Sequence, residues 1–211
     1  MTSEPALPRR RLSVDNRRDE LLDAAKDFYA RMAPEDVNIN DIAAAAGASR
    51  ALVYHYFGGK QELYLAAMRQ TADELIERLT DPIEGTVQEQ LIEALHRYFD
   101  FAEQRAAGFV ALLRGGPART GDDAGAIAAD VRRVLLEWLV ANTDVAEPSH
   151  LFRVTLQGWM AAVEVAAVDW LEQRADDRAV IERLLVDQLV AMVIATAQYD
   201  PALAAFLPRL A

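Results

Sequence analysis

Ser49, Arg50, Ala51, Tyr54, His55 and Lys60 form the group in this 211-residue chain whose types and spacing suggest a definite chemistry. That chemistry is noncovalent. A guanidinium can meet the two acceptors of a guanine edge, and the first residues of a helix point into a major groove when a helix-turn-helix docks. Ser49, Arg50 and Ala51 are therefore expected to reach base edges of double-stranded DNA. Hydroxyl, imidazole and ammonium groups placed later in the same stretch can donate to phosphate oxygens without reading sequence, which assigns Tyr54, His55 and Lys60 to phosphates. No catalytic group competes with this reading. The histidines His55, His96 and His150 are scattered, Cys is absent, no glycine motif cradles a phosphate, and the carboxylates follow solvated-helix patterns. We expect no enzyme, no metal site and no cofactor.

Two short helices must position these side chains. Asn38 is placed to cap the first, accepting a hydrogen bond from the backbone of Asn40 or Asp41, and Asp41 suits the positive end of its dipole. Ile42, Ala43 and Ala46 are expected to face inward. Gly47 then stands at the position after the helix where a left-handed backbone costs glycine little, and Ser49 caps the second helix. Small residues at Ala44, Ala45, Ala48 and Ala51 let the two helices cross closely, with Leu52 and Val53 as apolar anchors. A preceding helix, starting between Ser13 and Asn16, carries Leu21, Leu22, Ala25, Phe28, Tyr29 and Met32 at helical spacing and stops at Pro34. Residues 15–60 thus form a three-helix DNA-binding unit.

From Leu21 to Met68 the chain resembles the DNA-binding domain of the TetR family of bacterial transcriptional regulators. The resemblance rests on the aromatic pair Phe28-Tyr29, on Asp41-Ile42-Ala43, on the turn Ala46-Gly47-Ala48-Ser49, and on Val53-Tyr54-His55-Tyr56-Phe57 with Lys60 after it. It implies phosphate contacts from Asn38, Tyr54, His55 and Lys60, and base contacts from the start of the second short helix. The chain departs from the pattern at Met32-Ala33-Pro34, where a Gly-aromatic turn is usual, at Ala51 and at Gly58-Gly59. Asn38 replaces a commoner Thr, but either residue can cap a helix and donate to phosphate. Tyr56 and Phe57 are expected to be core.

Composition extends the helical pattern to the whole chain. Hydrophobic residues make up 52% of it, while Gly and Pro number only 10 and 8. We expect an all-α protein of about nine helices. The net charge of -11 argues against a nucleic-acid partner until it is divided. Up to Lys60 nine Lys/Arg balance nine Asp/Glu, and from Gln61 onward thirteen face twenty-four, so the whole excess belongs to the C-terminal part. Residues 1–14, with Arg9, Arg10 and Arg11, read as a flexible basic arm. No stretch reaches the roughly 18 uncharged apolar residues of a membrane span, and the opening residues lack the apolar core of a signal peptide. A cytoplasmic protein with no membrane partner is expected.

Residues 61–211 read as a helical domain for effector binding and dimerisation. Its expected helices run from Gln61 to Leu79, Val87 to Gln104, Gly108 to Leu113, Ala126 to Asn142, Ser149 to Gln173 and Asp177 to Tyr199. A polar Gly-rich loop leads up to Gly125. Ser149–Gln173 and Asp177–Tyr199 each carry more apolar surface than one core needs, which predicts a homodimer formed by the same helices across a two-fold axis. The resemblance implies the same interface and a small-molecule effector of unknown identity, for which Phe99, Phe109, Trp138, Trp159 and Glu164 are candidate contacts. An effector would shift Gln61–Leu79 and move the two headpieces away from the one-turn spacing of about 34–36 Å that a palindromic operator requires. The rival expectation is a helical ligand-binding or interaction protein that does not bind DNA.

Overall fold

The computed structural model describes residues 14–113, 123–143, 145, 147–201, 203 and 207. The basic arm lies outside these except for Val14, as does most of the polar stretch from Gly115 to Gly125. Nine helices and no strand occur among the described residues. They are α1 (Val14–Arg31), α2 (Ile39–Ala45), α3 (Arg50–Phe57), α4 (Lys60–Thr80), α5 (Val87–Gln104), α6 (Ala106–Leu113), α7 (Asp123–Ala141), α8 (His150–Gln173) and α9 (Arg178–Ala197).

Helix boundaries follow local chemistry. The α5 start is a reciprocal capping box in which Thr86 accepts from the Glu89 backbone while the Glu89 carboxylate accepts from the Thr86 backbone. Ser149 and Asp177 cap α8 and α9 through their side-chain oxygens. Three boundaries differ from expectation. Helix α6 begins two residues before Gly108, its first turn closed by Phe109 N donating to Arg105 O at 2.9 Å, so that Gly108 lies inside it. Helix α7 begins at Asp123, whose carboxylate suits the N-terminal end of the dipole. Helix α9 stops at Ala197, leaving Tyr199 77% exposed. Met32 also departs from its assignment: it follows the last residue of α1 and is exposed rather than part of the packing stripe.

Two apolar cores result. The first joins Leu21, Ala25 and Tyr29 of α1 to Ile42 of α2, Val53 and Phe57 of α3 and Leu63 and Met68 of α4, and it takes in Ile127 of α7. The second runs through the bundle of α4 to α9 around Phe99, Phe152, Trp159 and Val193. Each large side chain buried this way contributes on the order of 1.5–3 kcal/mol, so both units can hold their shape. Helices α4 and α7 each contribute to both cores and so link headpiece and body. Among the described helices, α8 has the length and apolar composition of a membrane-crossing segment, with a mean hydropathy of 1.3. It packs against α5, α6, α7 and α9, and Trp159 on it donates to the Leu185 carbonyl of α9 at 2.8 Å.

Candidate nucleic-acid interface and ligand cavity

The turn between α2 and α3 is closed by two backbone bonds. Gly47 N donates to Ala44 O at 3.0 Å and Ala48 N to Ala43 O at 2.8 Å, with Gly47 at φ +60. This is the Schellman arrangement, which satisfies the last carbonyls of α2 and reverses the chain within three residues. Ser49 Oγ then accepts from Leu52 N at 3.3 Å, and Asn38 Oδ1 accepts from Asn40 N at 2.9 Å at the other helix. Both capping oxygens are thereby occupied. The Ser49 hydroxyl proton and the Asn38 amide nitrogen remain available to donate outward.

Helix α3 has two distinct faces. Val53 and Phe57 are buried and Leu52 and Tyr56 half-buried, whereas Arg50, Ala51, Tyr54 and His55 are all exposed. Spacing of one, four and five residues places those four on one side of the helix. Arg50 Nη2 donates to the Tyr54 hydroxyl at 3.1 Å, and its guanidinium carbon lies 5.3 Å from the Tyr54 ring centroid. The ring of His55 meets Tyr56 edge-on at 5.2 Å. Lys60 is engaged within the headpiece, donating to the Glu35 carbonyl at 3.1 Å. Arg18, which the motif does not mark, stacks on Phe57 at 5.0 Å.

A second feature lies between headpiece and body. A cavity of about 130 Å³ is bounded by α1 and by α4 to α8. At the roughly 10–15 Å³ that one water needs, it has room for on the order of ten. Four of the five effector candidates, Phe109, Trp138, Trp159 and Glu164, stand on its wall. Phe99 does not: it is completely buried, edge-on to Tyr98 at 6.2 Å and to Trp170 at 5.7 Å. Glu164 is held by Arg132 through a bidentate pair of 2.7 and 2.9 Å, and that hydrogen bonding raises the Arg132 guanidinium further. Burial pushes the Tyr98 phenol beside them well above its ordinary range.

Residues 87–192 match the family described as "Tetracyclin repressor-like, C-terminal domain", which is half of the chain, and residues 21–67 match "Bacterial regulatory proteins, tetR family". The chain belongs to the TetR family. A solved tetR-family transcriptional regulator from Streptomyces coelicolor is 37% identical, superposes with a TM-score of 0.87, and is matched over 94% of this chain and 90% of that one. The transcriptional activator FasR of Mycolicibacterium smegmatis is 32% identical over 101 residues, 47% of this chain and 46% of that protein. The transcriptional regulator BetI of Brucella anthropi is 46% identical over 70 residues, 33% of this chain and 36% of that protein. The chain therefore spans under half the length of these two curated relatives.

Within this TetR-family chain, three cavity residues had no distinguishing signal in the sequence. Tyr29 lay in the packing stripe of α1, while Lys26 and Arg105 looked like ordinary helix-surface charges. Only the docking of α6 on α1 brings them to one wall. That docking depends on Gly108: a Cβ placed there would stand 2.6 Å from the Tyr29 carbonyl oxygen. Gly108→Ala is therefore expected to push α6 away from α1, at an overpacking cost of about 1–3 kcal/mol. The clash outweighs the at most about 1 kcal/mol that alanine gains within a helix. A lower urea midpoint for the variant checks this, and an unchanged or higher midpoint would contradict it.

Proposed function

We propose that this TetR-family regulator is a homodimeric repressor, acting in the cytoplasm on a palindromic operator and released from it by a small molecule held between headpiece and body. The observation that carries the proposal is the exposed face of α3, where Arg50 and Ala51 at the helix N-terminus and Tyr54 and His55 further along stand on one side. Ser49, Arg50 and Ala51 take the base edges, and Asn38, Tyr54, His55 and Lys60 take phosphates. Lys60 must exchange the Glu35 carbonyl for a phosphate or share itself between them. Phe109, Trp138, Trp159 and Glu164 contact the effector, and α8 and α9 form the dimer. Effector binding moves α4, which belongs to both cores, and changes the spacing of the two headpieces.

Fluorescence anisotropy with the chain's own upstream DNA, at several salt concentrations, tests this function. Specific complexes at nanomolar concentrations with a steep fall in affinity as salt rises are expected. No anisotropy change with the upstream fragment even at low salt would favour the non-DNA alternative, and equal affinity for it and an unrelated fragment would remove the sequence-specific reading.

A further inference from the structure

The charged residues on the cavity wall are unevenly matched. Glu164 is taken up by Arg132, whereas Lys26 and Arg105 converge on one carboxylate, Glu74, at 2.6 and 2.5 Å. Lys26 also reaches Asp23 at 2.9 Å, a carboxylate 65% exposed to solvent. One nitrogen of Arg105 donates to Glu74 while its plane lies over Phe101, 4.4 Å from the ring centroid. A guanidinium carries five N–H donors, so among the described residues most of this fork is left for another acceptor. Beside it on the wall is Tyr29, completely buried, whose hydroxyl has no hydrogen-bond partner among the described residues. A buried hydroxyl without a partner costs about 1–3 kcal/mol, a cost that a ligand oxygen would remove.

The remainder of the wall is long and mostly apolar, interrupted by Thr71 and by the mutually paired Arg132 and Glu164. It follows α4 from Met68 to Leu79 and α7 from Ala128 to Leu139. At 1.5 Å per residue, each edge is about 16 Å long. Tyr29 and Lys26 lie on α1, so the polar end is the end at the DNA-binding headpiece. Trp138 and Leu139 lie at the far end, on the last turns of α7. We propose that the cavity takes a long-chain monocarboxylate, with its head group against Arg105 and Tyr29 and its chain extended between α4 and α7. The ligand then touches the DNA-binding headpiece itself, through α1. This deepens the effector-released repressor reading and rests on it.

A cationic amphiphile would meet Lys26 and Arg105 unfavourably, and a neutral one would bring no anion to the Arg105 donors that Glu74 does not take. The test follows from this ordering. Trp138 and Trp159 on the wall give an intrinsic fluorescence signal for titrating the full chain with dodecanoate, dodecan-1-ol and dodecyltrimethylammonium. Titrations are repeated on Tyr29→Phe and Arg105→Gln after circular dichroism and thermal melting establish that each variant is folded. Dodecanoate is expected to bind tightest. Arg105→Gln should weaken it by about 10- to 100-fold and leave dodecan-1-ol nearly unchanged, while Tyr29→Phe should weaken dodecanoate by about 2- to 10-fold. Tyr29→Phe should also melt no lower than the parent, since it removes only an unpartnered hydroxyl.

Equal or tighter binding of the cation, or dodecanoate affinity indifferent to both substitutions, would overturn the assignment. Anisotropy with upstream DNA in the same buffers separates the two levels of the argument. A chain that binds its DNA but none of the three amphiphiles removes the ligand class and leaves the regulator intact. A chain that binds dodecanoate in the expected pattern but no DNA supports the cavity assignment and removes the repressor reading.

Discussion

Replacing Arg50 by alanine is expected to weaken binding to the operator by about 2–6 kcal/mol, or roughly 30-fold to 10⁴-fold. One bidentate arginine–guanine pair discriminates by about 1–3 kcal/mol, and a two-fold symmetric dimer presents the pair twice. The substitution leaves the helix start intact, because the cap is Ser49 Oγ accepting from Leu52 N and involves no atom of the lost side chain. The lost affinity is therefore read as lost contact rather than lost fold, provided the melting temperature is unchanged. Sequence preference should relax at one position of each half-site. Tyr54 accepts from Arg50 at 3.1 Å and holds the guanidinium over its ring, so Tyr54→Phe should show a weaker version of the same relaxation. Competition binding against operators mutated one base pair at a time measures it. If Arg50→Ala lowers affinity uniformly for every sequence, Arg50 is a phosphate contact and the base assignment falls.

That contrast also shows where the sequence was informative. Features set by neighbours in the chain could be read directly: Gly47 at positive φ, the caps at Asn38 and Ser49, and the division of α3 into a buried Val53–Phe57 side and an exposed Arg50–Tyr54 side. Each of these depends on periodicity or on a turn whose chemistry is local. The cavity was only partly legible, because a wall is defined by what faces it across several helices. Phe109, Trp138, Trp159 and Glu164, picked as aromatic or isolated polar residues in apolar helices, stand on the cavity wall, whereas Phe99, picked by the same criterion, packs against Tyr98 and Trp170 away from it. Tyr29 could not be distinguished from its neighbours in α1. Its significance lies in Gly108, 79 residues away, which lets α6 approach closely.

Introducing glutamate at Leu184 is expected to convert the protein from a dimer into a 23.3 kDa monomer in sedimentation. The apolar surface of α8 and α9 is not used up within one protomer: Leu151, Val154 and Val165 on α8 and Val180, Leu184 and Ile194 on α9 are all between 47% and 69% exposed. On α8 the exposed positions Leu151, Val154, Gly158, Ala161 and Val165 recur every three or four residues, which makes a continuous stripe with small residues at its centre. Such a stripe lets a second helix approach closely, and a self-complementary patch of this kind closes a two-fold dimer. Leu184 is 52% exposed on a body that already carries the chain's whole excess of negative charge. Glutamate there places two like charges across the axis and loses the apolar burial of both leucines, at least about 3–6 kcal/mol per dimer. A monomer grips one half-site only. Its operator affinity should fall at least about 100-fold, because the second headpiece no longer binds at the effective concentration that a tether supplies. The variant should keep its helical circular dichroism signal, since Leu184 lies outside the buried core of the protomer, although it melts lower by the stabilisation the partner had supplied. A variant that stays dimeric at micromolar concentration would place the interface on another face and leave the exposed stripe of α8 and α9 to a different partner.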